Sequence, residues 1–175
     1  TSYDFTIYIV NVPANKLELW FWMERDRLSS PVFREFYAER DVVYEERRMR
    51  TDSTPIGKFQ EQFDAMFWQS SPYGWPVVGW PSDLEGVTRD EALAFFDTYY
   101  APNNLAMALV GDFDPDNAIA LAERYFGRLE RGERPPLQPR TREMPQLAEK
   151  RMVAYAETNP QVTIRYQSVR DGHVD

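Results

Sequence analysis

The sequence predicts an α+β fold in which helices pack on a mixed or antiparallel sheet. Residues 5–12 are β-branched and aromatic, and residues 105–111 are a near-continuous apolar run; two further segments near the end of the chain are also predicted as strands. Apolar residues recur at helical spacing through most of the chain between them. The predicted order is one strand, four helices, a strand, a helix and two strands, and such runs favour α+β over a doubly wound sheet. The predicted strands are residues 5–12, 105–111, 151–157 and 161–169.

The first predicted helices are placed by their start signals. Asn15 is a capping residue for a helix over about 16–28. Ser30 followed by Pro31 has the pattern of a cap and a first-turn proline, which predicts a second helix running to about Arg50. Thr54 and Pro55 repeat that pattern for a third helix.

Two later helices carry stronger local signals. Thr88 and Glu91 form a capping box, which predicts a helix to about Tyr100. Asp114 and Pro115 begin another helix, and Gly127 is predicted to end it in a left-handed conformation. The stretch 70–83 contains three prolines and two glycines among aromatic residues, so we expect an ordered loop. Such a loop could pack structurally or form a wall that contacts peptides.

Composition limits the classes of function. The chain has 175 residues, 43% hydrophobic and 15% aromatic, which is typical of a globular protein with a real core. Its formal net charge is -8 with basic residues interleaved among acids, so we expect no nucleic-acid partner. No apolar window is long enough for a bilayer span, and the first residues do not form a signal peptide.

Several kinds of catalytic site are excluded by residue type. The sequence contains no cysteine and one histidine, His173, three positions from its end. Disulfides, thiol nucleophiles and a Ser-His-Asp triad are therefore ruled out, and we expect His173 to be an exposed tail residue. The glycines at 74, 79 and 86 are not followed by the lysine and hydroxyl residue of a phosphate-binding loop.

Two glutamates of the second predicted helix face the same direction. Glu39 and Glu46 are seven residues apart and fall within a narrow arc at about 100° per residue. The apolar residues Val42, Val43 and Met49 flank that face and predict that it is packed. Because a packed carboxylate needs a compensating cation or hydrogen bonds, this face is a candidate for metal binding.

The same helix has a simpler interpretation. Glu45, Glu46, Arg47 and Arg48 have the composition of ordinary surface ion pairs. Arg50 could also compensate a packed Glu46 without any metal. Helical spacing alone leaves both interpretations open.

Three blocks of sequence resemble a known family. They read AERDVVYEERRMR, PYGWPVVGWPSDLEGVT and YYAPNNLAMALVGDFDP, in that order, and the resemblance that they carry extends over most of residues 2–130. Together they resemble the insulinase/pitrilysin zinc metallopeptidases, which include mitochondrial processing peptidase. The resemblance implies that residues 1–175 are one incomplete metallopeptidase lobe. In it, 1–130 would be the rear part of the catalytic lobe, 131–146 a linker-like stretch and 147–175 its closing strands.

The resemblance also implies a metal site. In the family, an inverted H-x-x-E-H motif supplies two histidine ligands and a general base, and a later glutamate completes the zinc site. Alignment of the helix places that third ligand on Glu46 and a supporting acid on Glu39. The segment beginning SYDFTIY resembles the edge strand to which substrates add as an extra strand.

The H-x-x-E-H motif does not occur in this sequence. We therefore expect the chain to belong to a zinc-dependent endopeptidase of peptides or unfolded polypeptides but to be inactive alone, and we attribute the missing motif to truncation rather than mutation. The alternative is a non-catalytic member that binds peptides or a subunit. The resemblance further implies a second homologous lobe or subunit as partner, and zinc in the full-length protein that this chain alone does not retain. The location stays open, and the resemblance favours a periplasmic or secreted bacterial one.

Overall fold

A computed structural model describes residues 1–133, 140–169 and 174 of the chain. The chain divides into two compact units, each described here by itself. Unit 1 comprises Thr1–Asp41 and Ser82–Pro139, and unit 2 comprises Val42–Pro81 and Arg140–Asp175. The α-helices within the described residues are α1 (Leu17–Ser29), α2 (Phe36–Arg47), α3 (Gly57–Phe67), α4 (Pro81–Gly86), α5 (Arg89–Tyr99) and α6 (Pro115–Phe126).

Shorter helical turns link several of these elements. A π-helical turn at Arg48–Asp52 directly follows α2. Turns of 3-10 helix occupy Ala14–Lys16, Pro72–Gly74 and Pro102–Asn104. None of the helices in the described part of the chain is long and apolar enough to traverse a bilayer.

The predicted α+β class is wrong for the described residues, which contain helices and no β-strand. The four segments predicted as strands lack the hydrogen-bonded ladder that defines a strand. Their apolar side chains are largely exposed, as Val110 and Tyr155 at 97% illustrate. β-branched and aromatic composition reports how side chains suit a pleated, half-buried surface, but a ladder also needs a second strand beside the first.

The core of unit 1 lies between α1 and α6. Phe21 of α1 is fully buried, and its ring centroid lies 5.4 Å from that of Phe126. Trp20 meets the same Phe126 ring edge-on at 6.3 Å, and Leu121 of α6 is buried beside them. Full burial of a phenylalanine side chain contributes up to about 3 kcal/mol, so this pair of helices is the main apolar contact of unit 1.

Unit 2 is organised around α3. Phe63 and Phe67 are its buried apolar residues, one turn apart on one side of the helix. The Lys150 ammonium donates to the carbonyls of Met66 (2.7 Å) and Phe67 (3.1 Å), and so satisfies acceptors that the helix end leaves open. Arg165 pairs with Asp64 and lies over the Phe63 ring, 5.1 Å from its centroid.

Local start signals for two helices are confirmed. Thr88 accepts a hydrogen bond from the Glu91 backbone N–H, and the Glu91 carboxylate accepts one from the Thr88 N–H, which completes the capping box of α5. Asp114 caps α6 through the Asp116 N–H, with Pro115 in the first turn. In both cases the partners are at most three residues apart.

Other boundary predictions are wrong. Asn15 lies inside a 3-10 turn and does not cap α1, and Gly127 ends α6 with a right-handed φ of -61°. The helix predicted from Pro31 begins only at Phe36, since Phe33 has a positive φ of 48°. The guanidinium of Arg89 binds the carbonyl oxygens at residues 32 and 33, which a helix there would have used internally.

Candidate metal-ligand helix and its surroundings

Glu46 lies in the last turn of α2 and is partly exposed. Its Oε1 is 3.0 Å from Nη1 of Arg50, and the two side chains are 39% and 72% exposed. An ion pair this accessible is screened by water and contributes little to stability. The carboxylate is therefore not committed to holding the fold together.

Glu39 occupies the first turn of α2 and is exposed. Within the described residues no ion pair or side-chain hydrogen bond is found for its carboxylate. The unit boundary falls inside α2, so Glu39 belongs to unit 1 and Glu46 to unit 2. Both acids nevertheless lie on the same helix, α2.

The prediction that this helix face is packed is wrong. Val42 is 59% and Met49 is 68% exposed, and only Val43 is half-buried. Because no apolar shell surrounds the acids, burial gives no reason to require a metal. The burial argument for a metal site therefore fails, and the resemblance alone supports a ligand role for Glu46.

Arg47, predicted to be a surface residue, is the buried charge of this helix at 2% exposure. Its Nη1 and Nη2 donate to the two carboxylate oxygens of Glu61 at 2.6 and 2.8 Å. Nη1 also donates to the Gly79 carbonyl at 2.8 Å, and Oδ1 of Asp52 lies 3.7 Å from Nη2. This two-pronged pairing is the geometry that a planar guanidinium favours.

Electrostatics at Arg47 follow from that geometry. The hydrogen bonds to Glu61 raise the pKa of Arg47, and this effect outweighs burial, which lowers it. Its Nε atom is buried and has no hydrogen-bond partner among the described residues. The sequence offers one signal for the burial of Arg47. The apolar residue Val43 lies four positions earlier, on the same side of the helix, and the structure shows it half-buried.

The described residues do not form a metal centre by themselves. They contain no cluster of three or more histidine, cysteine, aspartate or glutamate side chains that could hold an ion. His173 lies outside the described residues. A zinc site needs three or four ligands, so Glu46 with its Arg50 partner does not fit zinc unaided.

The loop at 70–83 is anchored by packing in the part of it that adjoins α3. Trp68 and Tyr73 stack edge-on with centroids 5.5 Å apart, and Gly74 is buried. A Cβ on Gly74 would lie 3.2 Å from the Trp68 Cβ, so a larger residue would be crowded there. These contacts support the structural interpretation of the loop, although Trp75 is 67% exposed.

Unit 1 contains an open, mainly apolar groove of about 1100 Å³. At one side Tyr8 and Tyr100 join hydroxyl to hydroxyl at 2.7 Å, and the Arg27 guanidinium lies 5.6 Å from the Tyr8 ring centroid. Burial, assisted by the hydrogen bond with Tyr8, raises the pKa of Tyr100 to about 12. The apolar lining includes Val32, Phe33, Val87, Phe95 and Phe96.

The groove is suited to binding and lacks obvious reactive groups. Its charged lining residues are Arg27, Asp83 and Glu91. The Glu91 carboxylate is already used in the capping box, and Arg27 is paired with Glu24 at 3.4 Å. The groove therefore offers apolar surface to the apolar side chains of a ligand. Its lining does not provide a free pair of carboxylates for acid–base catalysis.

Comparison with known proteins identifies the family. Residues 86–175, just over half of the chain, match the family described as "Peptidase M16 inactive domain". The chain belongs to the peptidase M16 family. This finding confirms the metallopeptidase family resemblance predicted from the three sequence blocks. The matched residues of this M16 chain do not include α2, which carries both candidate acids.

Individual relatives carry zinc protease names. The M16 chain is 31% identical over 131 residues to "Zinc protease PqqE" of Helicobacter pylori, covering 74% of this chain and 30% of that protein. It is 26% identical over 92 residues to a "Probable mitochondrial-processing peptidase subunit beta" of Schizosaccharomyces pombe, covering 53% of this chain and 20% of that one.

A solved structure agrees with these relatives. The crystal structure of a protease from Helicobacter pylori matches with a TM-score of 0.69 and 28% identity, covering 74% of this chain and 32% of that one. The M16 chain thus spans between about a fifth and a third of the length of the proteins it matches.

Proposed function

We propose that this chain is part of a zinc-dependent endopeptidase that hydrolyses peptides or unfolded polypeptides, and that Glu46 is its metal ligand. The observation that carries the proposal is the alignment of α2 with the helix of the family that bears the third ligand, which puts Glu46 at the ligand position. The Glu46 carboxylate is also held weakly, because its partner Arg50 is an exposed residue. A ligand must be free to exchange its partner for a metal.

Among the neighbouring charges, burial and mutual pairing argue against Arg47 and Glu61, whereas only the alignment distinguishes Glu46 from Glu45. Arg47 and Glu61 bind each other through two short contacts and are largely buried, so neither is available to a metal. Glu45 is 63% exposed and pairs with Arg48 at 3.3 Å. Glu39, one heptad before Glu46, would act as a supporting acid. Zinc, when bound in such a site, polarises a carbonyl and lowers the pKa of a bound water.

The chain alone is proposed to be inactive. Its described residues do not assemble a ligand set for zinc, and the sequence has a single histidine. One carboxylate is a weak zinc ligand, so we expect no stoichiometric zinc at micromolar concentrations and no peptide hydrolysis above the blank. Zinc content is measured by elemental analysis after gel filtration, and hydrolysis with an unfolded, fluorescently quenched polypeptide.

The role of Glu46 is tested with a polypeptide that carries H-x-x-E-H, joined to this chain or added in trans. We expect that assembly to bind zinc, and Glu46→Gln to abolish stoichiometric binding while the circular dichroism spectrum is retained. Glu45→Gln is the matched control, since it removes one carboxylate from the adjacent position and should leave zinc unchanged. Loss of zinc in both variants, or in neither, would refute the assignment.

The runner-up function is non-catalytic binding of peptides or of a subunit. One observation favours it, namely that the family description matched by residues 86–175 concerns an inactive domain. This function predicts that peptide affinity, measured by fluorescence anisotropy, is unaltered by Glu46→Gln. It also predicts that no assembly with an H-x-x-E-H polypeptide hydrolyses the bound peptide.

The proposed partners follow from the same function. They are a peptide substrate and a second homologous lobe or subunit, and a relative named as a subunit of a processing peptidase supports the latter. The net charge of -8 supports the absence of a nucleic-acid partner. A periplasmic or secreted bacterial location remains a prediction from the resemblance.

A further inference from the structure

Three consecutive backbone N–H groups in unit 2 converge on one side chain. The Glu143 carboxylate accepts hydrogen bonds from the N–H groups of Gln69 (2.8 Å), Ser70 (3.0 Å) and Ser71 (2.8 Å). The hydroxyl of Ser70 lies a further 3.4 Å from the same carboxylate. Successive N–H groups arranged in this way form a concave site for an anionic oxygen group.

The chain on both sides of Glu143 is held at the same place. The Ser70 hydroxyl donates to the Arg142 carbonyl at 2.8 Å and accepts from the Met144 N–H at 3.2 Å. Ser70 therefore fixes the backbone before and after Glu143, while the three N–H groups fix its side chain. The binding site at 69–71 follows directly on α3.

Residues 140–169, which we name the strap, are attached to α3 mainly by charged and polar contacts. After Glu143 the contacts are those of Lys150 with the end of α3 and of Arg165 with Asp64. Large apolar side chains of the strap point away from the unit, with Leu147 96% and Val162 88% exposed. Little apolar burial supports the strap, so its attachment depends on the charged state of its anchors.

We propose that Glu143 is a latch, and that residues 69–71 are a carboxylate-binding site that holds the beginning of the strap on unit 2 while Glu143 is ionised. Neutralising Glu143 would leave three N–H donors facing a neutral group and release residues 140–146. This inference does not depend on the proposed peptidase function, because it involves neither Glu46 nor a metal.

The direction of titration agrees with this geometry. Burial is the largest single influence on the pKa of Glu143 and raises it. The hydrogen bonds from Gln69, Ser70 and Ser71 together lower the pKa by more than burial raises it, so the net shift is downward. The residues at 69–71 have no ionisable side chain, and the charges beside Glu143 on the strap are Arg140 and Arg142. The latch is thus closed above the ordinary glutamate range and opens as pH falls through the lowered value.

The first test measures the donors themselves. Amide hydrogen exchange of residues 69–71 is followed by NMR in the 175-residue chain and in Glu143→Gln. Charge-assisted hydrogen bonds to backbone N–H groups are about twice as strong as neutral ones, so we expect exchange at the three amides to become at least about tenfold faster. Glu149→Gln, at an exposed glutamate of the same strap, is the matched control and should leave exchange unchanged.

Wild-type exchange rates at residues 69–71 in Glu143→Gln would overturn the proposal. A second measurement covers the case in which that variant does not fold. The chain has no cysteine, so Thr141→Cys gives a single site for a nitroxide spin label next to the latch. We expect the label to be restrained at neutral pH and to become mobile on acidification before the circular dichroism signal is lost. A label that becomes mobile only when the helices melt would also overturn it.

Discussion

Replacing Arg47 by methionine should destabilise unit 2 strongly, although sequence composition marks Arg47 as an ordinary surface residue. The side chain is 3% exposed and its partner Glu61 is 13% exposed. Methionine would fill much of the space but leave the Glu61 carboxylate partly buried without its two donors. Removing one member of a buried pair costs about 3 to 5 kcal/mol, because an uncompensated charge remains.

We expect about 3 kcal/mol for Arg47→Met, the lower end of that range, since Glu61 keeps some access to water. The assay is urea unfolding followed by circular dichroism and tryptophan fluorescence. Urea is preferred to guanidinium because an ionic denaturant screens charge pairs. Arg48→Met is the matched control: its pair with Glu45 is more than 60% exposed on both sides, so about 0.5 kcal/mol or less is expected.

A double replacement separates charge burial from loss of packing. Arg47→Met combined with Glu61→Leu removes both charges, so much of the lost stability should return. The coupling energy from the four proteins then isolates the pair. If Arg47→Met unfolds within 1 kcal/mol of Arg48→Met, the burial argument for Arg47 is wrong.

Three further results are expected. Tyr8→Phe should bring the pKa of Tyr100 down from about 12, because it removes a hydrogen bond that helps burial to raise it; the absorbance of tyrosinate during alkaline titration measures this. Thr88→Ala should cost about 1 kcal/mol in urea unfolding through loss of the α5 cap, and a cost near zero would show that Glu91 alone suffices. The pKa of Glu143 is lowered in the folded chain, so its contribution to stability is present above the ordinary glutamate pKa and is lost as pH falls through the lowered value; acid titrations of wild type and Glu143→Gln should therefore converge.

Local signals in the sequence predict the helix caps well. The Thr88–Glu91 box and the Asp114 cap involve partners at most three residues apart, so the sequence contains both halves of each interaction. The start of α2 fails for the opposite reason. Ser30 and Pro31 form a valid start signal, but Arg89, more than 50 residues later, takes the carbonyls that an early first turn would need.

The strand predictions show a different limit. Segment 105–111 is a near-continuous apolar run and segment 161–169 contains β-branched and aromatic residues, yet neither forms a ladder within the described residues. In 161–169 only Arg165 is partly buried, where it pairs with Asp64 of α3. Val162, Ile164 and Gln167 are exposed, and Gln167 donates to the Met144 carbonyl within the strap. A charged partner on α3, at Arg165, rather than a second strand therefore holds this segment.

The candidate metal ligand and the buried arginine are neighbours in sequence, and helical periodicity cannot rank them. Glu46 and Arg47 differ by 100° around α2, and flanking valines are compatible with either side being packed. Glu61 and Gly79 determine which of the two side chains is buried. They lie 14 and 32 residues after Arg47 and supply the acceptors for its guanidinium. Once Arg47 faces unit 2, Glu46 is directed towards water with Arg50. Non-local acceptors for Arg47 thus leave the Glu46 carboxylate accessible to solvent, which the pattern of acids on α2 could not establish.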